Sequence, residues 1–102
     1  MTPVFGASTW LWTSPYRSEN LKLLETIASL GFNAVELPIE DPALIHAADL
    51  RLVLKDLDLQ FHVCGAFGPE RDLTNSSAAV RASGRAYATA CLDIAVELDA
   101  GL

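Results

Sequence analysis

Cysteine is scarce in this chain: Cys64 and Cys91 are the only two, 27 residues apart. With no Cys-x-x-Cys pair and no His/Cys spacing of a zinc site, they supply neither a disulfide framework nor a local metal clip, and they fit a reducing compartment. Basic residues are also few, seven against thirteen acidic ones, for a formal net charge of −6. A field of that sign repels phosphate backbones and anionic lipid, which argues against nucleic-acid or membrane-surface partners. No apolar run approaches the roughly 20 residues that span a bilayer. Met1 to Trp12 has no basic n-region and no long apolar stretch, so no secretory signal is expected and the expected location is cytoplasmic. The dinucleotide fingerprint Gly-x-Gly-x-x-Gly, the P-loop and the Gly-x-Ser-x-Gly nucleophile elbow are all missing. What is present is 102 residues, half of them apolar (51%) and a fifth charged (20%). That balance suits one packed domain over residues 1–102.

The order of the elements is more informative. Residues 3–10 are rich in β-branched and aromatic types and predict a first strand. Ser14-Pro15 marks a loop, Ser18 is a candidate N-cap, and Leu21, Leu24, Ile27 and Ala28 recur at helical spacing up to Gly31, placed to end that helix. Ala34-Val35-Glu36-Leu37 predicts a second strand with Pro38 at its exit. Asp41-Pro42 caps a short turn, and Leu50, Val53, Leu54 and Leu57 mark a second helix. Leu59 to Cys64 predicts the third strand, and Gly65 to Ser76 a polar loop. A long helix follows, striped by Val80, Gly84, Tyr87, Ala88, Cys91, Ile94, Ala95 and Leu98, with Gly101 at its end.

Strands alternating with helices imply parallel strands joined by right-handed crossovers. A (β/α)₈ barrel needs about 250 residues, roughly 30 per unit, so three units are expected here. Strands covered by helices on both faces read as continuous apolar runs. The third strand instead alternates, Leu59, Phe61 and Val63 against Gln60, His62 and Cys64; the second sets Val35 and Leu37 against Ala34 and Glu36. In a barrel the polar set, with Ser8, faces the lumen. A solvated edge of a small open α/β sheet would alternate in the same way, so both architectures stand on the residues alone.

Several residues could carry chemistry. Glu36, at the end of the second strand, could bind a sugar hydroxyl or orient a neighbour; equally, it could be hydrogen-bonded to loop amides. His62 shares its face, where a lone imidazole is ordinarily a packing residue, and His46 is expected at the surface. Glu36 and His62 cannot make a metal site alone. Cys64 would need a cationic neighbour to ionise, and the nearest in sequence is Arg71, so it reads as a small pocket wall rather than a nucleophile. Of Trp10 and Trp12, one is expected in the core and the other in a pocket wall. Within Gly65–Thr74, Glu70-Arg71-Asp72 is expected to pair internally, with Asp72 or Asn75 capping the third helix.

With those residues set out, the whole chain resembles the N-terminal part of the sugar isomerase/epimerase family, the xylose-isomerase-like TIM barrels. It is most similar to the ketose 3-epimerases of the D-tagatose, D-psicose and L-ribulose type. The resemblance rests on Gly6-Ala7-Ser8-Thr9-Trp10-Leu11-Trp12-Thr13-Ser14-Pro15, on Leu30-Gly31-Phe32-Asn33-Ala34-Val35-Glu36, and on Ala79-Val80-Arg81-Ala82-Ser83-Gly84. Its most specific part is Val63-Cys64-Gly65-Ala66-Phe67-Gly68-Pro69-Glu70-Arg71-Asp72-Leu73-Thr74. It implies the first three βα units of a (β/α)₈ TIM barrel and proton exchange alpha to a ketose carbonyl, with 3-epimerisation the implied outcome. It also implies a divalent metal, usually manganese, whose ligands lie beyond residue 102 together with the two catalytic glutamates. This chain then holds no catalytic residue and no metal ligand, and binds no metal by itself. Trp12, Glu36 and Cys64 are the substrate-binding positions it does carry. A small ketose is the implied partner, and homo-oligomer formation is left open. Asp58 departs from the family's usual glycine at the exit of the second helix, a left-handed position that costs aspartate more.

Two other readings stay open. A related barrel dehydratase or isomerase would share these early units, and a noncatalytic α/β binding or assembly module would need no downstream catalytic set.

Overall fold

A computed structural model describes residues 3–100. The strands are β1 (Gly6–Ser8), β2 (Ala34–Ile39) and β3 (Gln60–Gly65), and the helices α1 (Leu21–Ser29), α2 (Ala47–Asp56) and α3 (Ala78–Glu97). They alternate along the chain, and the strands form one parallel sheet in the order β1-β2-β3. Ser8, Glu36 and His62 share one register level, and Pro38 pairs with Cys64 two residues further on.

The alternation is realised as the side-chain pattern requires. Val35, Leu37 and Ile39 are fully buried and, with Phe61, join Leu24 and Ile27 of α1, Leu50 and Leu54 of α2, and Ile94 of α3 in one core. Val63 is partly buried against the same cluster. Between them on β2, Glu36 is exposed. One face of the sheet is therefore roofed by helices; on the other Glu36 is exposed and His62 and Cys64 are half-buried, while Ala34 and Pro38 are covered.

Helix exits repeat a common device. Gly31 (φ 95°), Asp58 (φ 53°) and Asp99 (φ 54°) all sit in the left-handed region one residue past a helix C-cap. After α2, Asp58 N donates to Lys55 O and Leu59 N to Leu54 O, the paired bonds of a Schellman turn; Asp99 and Ala100 do the same onto Val96 O and Ala95 O. Asp58 thus occupies the conformation expected of it. Gly101 lies outside the described residues, and α3 ends at Glu97 with Asp99 in the turn.

Four local expectations are corrected. β1 is only three residues long, because Thr9–Leu11 wind into a 3₁₀ turn capped by Ser8, whose Oγ accepts from Trp10 N at 3.3 Å. Ser18 does not cap α1. It is buried, its Oγ accepts from His46 N at 2.6 Å and its N–H donates to Leu44 O at 3.1 Å, so it ties the loop after β1 to the loop after β2. The cap of α3 is Ser77, which accepts from Val80 N, rather than Asp72 or Asn75.

Pro38 lies inside β2, not at its exit. A proline is normally excluded from a central strand because it cannot donate to the ladder. Here Ala34 N donates across to Phe5 O, and ladder bonds on one side recur every second residue. That puts Pro38 N opposite Thr9 O, where β1 has already turned away. Thr9 O instead accepts from Trp12 N and Thr13 N, both at 3.0 Å.

Candidate functional site

The open face carries its polar groups in one row. Ser8, Glu36 and His62 lie side by side on adjacent strands, with Cys64 one step nearer the carboxyl edge. Among the described residues the Glu36 carboxylate makes no side-chain hydrogen bond, so the loop-amide reading of Glu36 is not what the structure contains. The Cys64 thiol is pushed up by burial first, then by the negative charge of Glu36 and by Cys91. A thiol held protonated is a poor nucleophile, which fits a wall and not an attacking group. Its one hydrogen bond runs from Sγ to Gly65 O at 3.6 Å.

Arg71 does not serve Cys64. Its guanidinium donates to Glu40 O at 2.7 Å and Ala66 O at 3.0 Å and stacks 4.0 Å from the centre of the Tyr87 ring. Its ion pair with Glu70 is long, 3.9 Å, and Glu70 is exposed. Asp72 turns to its own loop, accepting from Thr74 Oγ1 at 2.7 Å and Thr74 N at 2.9 Å. Those hydrogen bonds, the side-chain one first, hold its carboxyl below the usual range.

Neither tryptophan is core. Trp10 and Trp12 are both about half exposed, at 48% and 43%, and Thr9 fills the buried place in that turn. It is Trp10 that lines a shallow cleft at the carboxyl ends of the strands, with Glu40, Gly65–Gly68, Glu70 and Arg71. Ser14 Oγ binds the Glu40 carboxylate there at 2.7 and 2.8 Å. Trp12 lies two residues further along the exit of β1. The structure thus brings Glu36 and Cys64 near each other and leaves Trp12 exposed, outside the lining of the cleft.

No family model and no curated protein matches this sequence. Solved structures do. A D-allulose 3-epimerase from Methylomonas sp. is similar over 94% of this chain and 34% of its own, at 23% identity and a TM-score of 0.86. An L-ribulose 3-epimerase is similar over 94% and 33%, at 21% identity and a TM-score of 0.83. A D-psicose 3-epimerase from Clostridium cellulolyticum H10, solved with D-tagatose, is similar over 92% and 34%, at 18% identity and a TM-score of 0.75. The chain shares the fold of these 3-epimerases. It spans about a third of the length of each.

Three βα units of a (β/α)₈ barrel are therefore what residues 3–100 make. In such a barrel the face away from the helices is the lumen, and chemistry sits at the carboxyl ends of the strands. The Ser8–Glu36–His62 row lies on that inner face, and the Trp10 cleft at that end. The described residues contain no group of three or more His, Cys, Asp or Glu side chains placed to hold a metal ion. Glu36 and His62 are too few donors to form a metal centre by themselves. No helix among the described residues is long and apolar enough to cross a membrane.

Sequence reasoning missed Glu40 and Tyr87, and it weighed Trp10 with Trp12 but assigned the substrate-facing aromatic to Trp12. The end of β1 at Ser8 is what brings Trp10 to the cleft. Tyr87 was placed in the core stripe of α3, although Gly84-x-x-Tyr87 on one helical face was a legible sign that another backbone lies close.

Proposed function

We propose that this chain is the N-terminal part of a sugar 3-epimerase that exchanges the proton alpha to a ketose carbonyl. The observation carrying this reading is the match of nearly the whole chain to 3-epimerases of known structure, at TM-scores up to 0.86, together with a polar row on the face that becomes the lumen. Residues 1–102 form one structural unit of that enzyme, which is cytoplasmic. Glu36 accepts a hydrogen bond from a sugar hydroxyl, and His62 beside it can donate or accept another. Cys64 supplies a small wall whose protonated thiol does not compete for the exchanged proton. Trp12 covers the apolar C–H face of the sugar. An uncharged ketose suits the site better than a sugar phosphate, because Arg71 has its guanidinium committed to two backbone carbonyls. The divalent metal of such a reaction, manganese in this reading, takes its ligands from outside the chain, as do the two bases.

The test is made on the protein encoded by the complete reading frame that contains this sequence. Incubated with manganese and D-allulose, D-tagatose, D-fructose or L-ribulose in D₂O, it forms the C3 epimer with deuterium at C3. Unchanged sugar with no deuterium incorporated from any of the four would sink the reading.

A further inference from the structure

The ladder between β2 and β3 ends with a side chain inserted into it. At its start Gln60 N donates to Asn33 O at 3.0 Å. Bonds on one side of a parallel pair recur every second residue. With the register running from Ala34↔Gln60 to Ile39↔Gly65, the last bond of this series falls between Ala66 N and Ile39 O. It is not made. The Tyr87 hydroxyl stands between the two groups, accepting from Ala66 N at 2.7 Å and donating to Ile39 O. No direct hydrogen bond joins that nitrogen and oxygen; the hydroxyl bridges them.

Other groups hold the wedge in place. Arg71 takes the next two carbonyls, Glu40 O and Ala66 O, and lies over the Tyr87 ring. Phe67 meets the same ring edge to face, with centroids 5.1 Å apart. One turn earlier on α3, Gly84 leaves room for the loop: a Cβ there would come within 2.5 Å of Arg71 O and 2.8 Å of Leu73 Cδ2. Both backbone groups of Ala66 are thus bound by side chains.

We propose that Tyr87 is a positioning residue: its hydroxyl wedges the carboxyl ends of β2 and β3 apart and fixes the Gly65–Thr74 loop, setting the width of the cleft lined by Trp10, Glu40 and Phe67. The role assigned to that cleft, holding part of the ketose, rests on the proposed function. The wedge itself does not.

The Tyr87→Phe variant keeps the ring and its contacts and removes only the hydroxyl. Amide exchange at Ala66 is expected to rise about tenfold or more, while Ala34 and Gln60, at the other end of the sheet, keep their rates. With a ketose substrate KM rises severalfold and kcat is little changed. Gly84→Ala approaches from the opposite side. Its Cβ displaces the loop, so the same rise in KM appears and exchange quickens in the loop, while Ala34 and Gln60 keep their rates. Unchanged exchange at Ala66 in Tyr87→Phe overturns the proposal. So does an equal acceleration at Ala34 and Gln60, which would make Tyr87 an ordinary contributor to global stability. If the unmodified protein turns over no ketose, the functional reading fails, and the Ala66 exchange rates still decide the wedge.

Discussion

Glu36 and Leu37 are consecutive residues of one strand and meet opposite fates. Leu37 is fully buried beneath the helices, and Glu36 stands in the open row beside Ser8 and His62. The pleat alone separates them, since successive side chains point to opposite faces. The consequence is a division of labour within six residues. The covered face supplies cohesion, and the open face is left free for polar groups that contribute little to it.

The largest effect that could break this division is on the covered side. Leu37→Ala should cost about 2–5 kcal/mol, through lost burial and the cavity left behind; chemical denaturation showing less than about 1 kcal/mol would mean that the roof is not packed as described. Alkali should act next. Burial first, then Glu19, pushes the Tyr16 phenol up to about 12, and burial first, then Cys91, pushes Tyr87 up to about 12. In the unfolded chain both ionise near the ordinary value of 10.0. A raised acid is bound by the fold in its protonated form. The stability it contributes is therefore complete below pH 10 and is lost as pH climbs from there toward 12. Thermal midpoints followed from about pH 9 to about 11 should fall, and Tyr16→Phe should reduce the fall at little cost, because that buried hydroxyl has no hydrogen-bond partner. A flat profile would show both phenols to be solvated. The smallest effect belongs to the open face: Glu36→Gln should move stability by no more than about 0.5 kcal/mol, with its effect confined to sugar turnover. A large loss of stability would show that Glu36 is a structural group and would break the comparison.

The parts that could be read from the sequence are those in which a local pattern has one physical solution. Period-two alternation at 59–64 fixed which face of β3 is apolar, and a residue directly after an amphipathic stretch, Gly31 or Asp58, has to enter the left-handed region to reverse the chain. The parts that could not be read are those where identical local chemistry serves different ends. Ser18 and Ser77 both look like N-caps, yet only Ser77 caps a helix; Ser18 is used by a loop 28 residues away, at His46 N. Asp72, Asn75 and Ser77 are all competent caps, and packing of the loop decides among them. Of the candidate site, the Glu36, His62 and Cys64 face followed from alternation. The Trp10 cleft did not, because it depends on where β1 stops, which is decided by a residue of another strand.

That residue is Pro38, and its effect reaches beyond its own backbone. With no N–H facing Thr9, β2 withholds the donor that β1 would pair with just past Ser8. The segment Thr9–Leu11 is thereby uncoupled from the sheet's register. Its exposed side chains, Trp10 and Leu11, can be exchanged in evolution or in the laboratory, aromatic for aliphatic or large for small, without a strand creeping forward to absorb them, while buried Thr9 anchors the turn. A surface beside the mouth of the barrel is left open to variation, and the frame that holds it does not have to be re-solved each time.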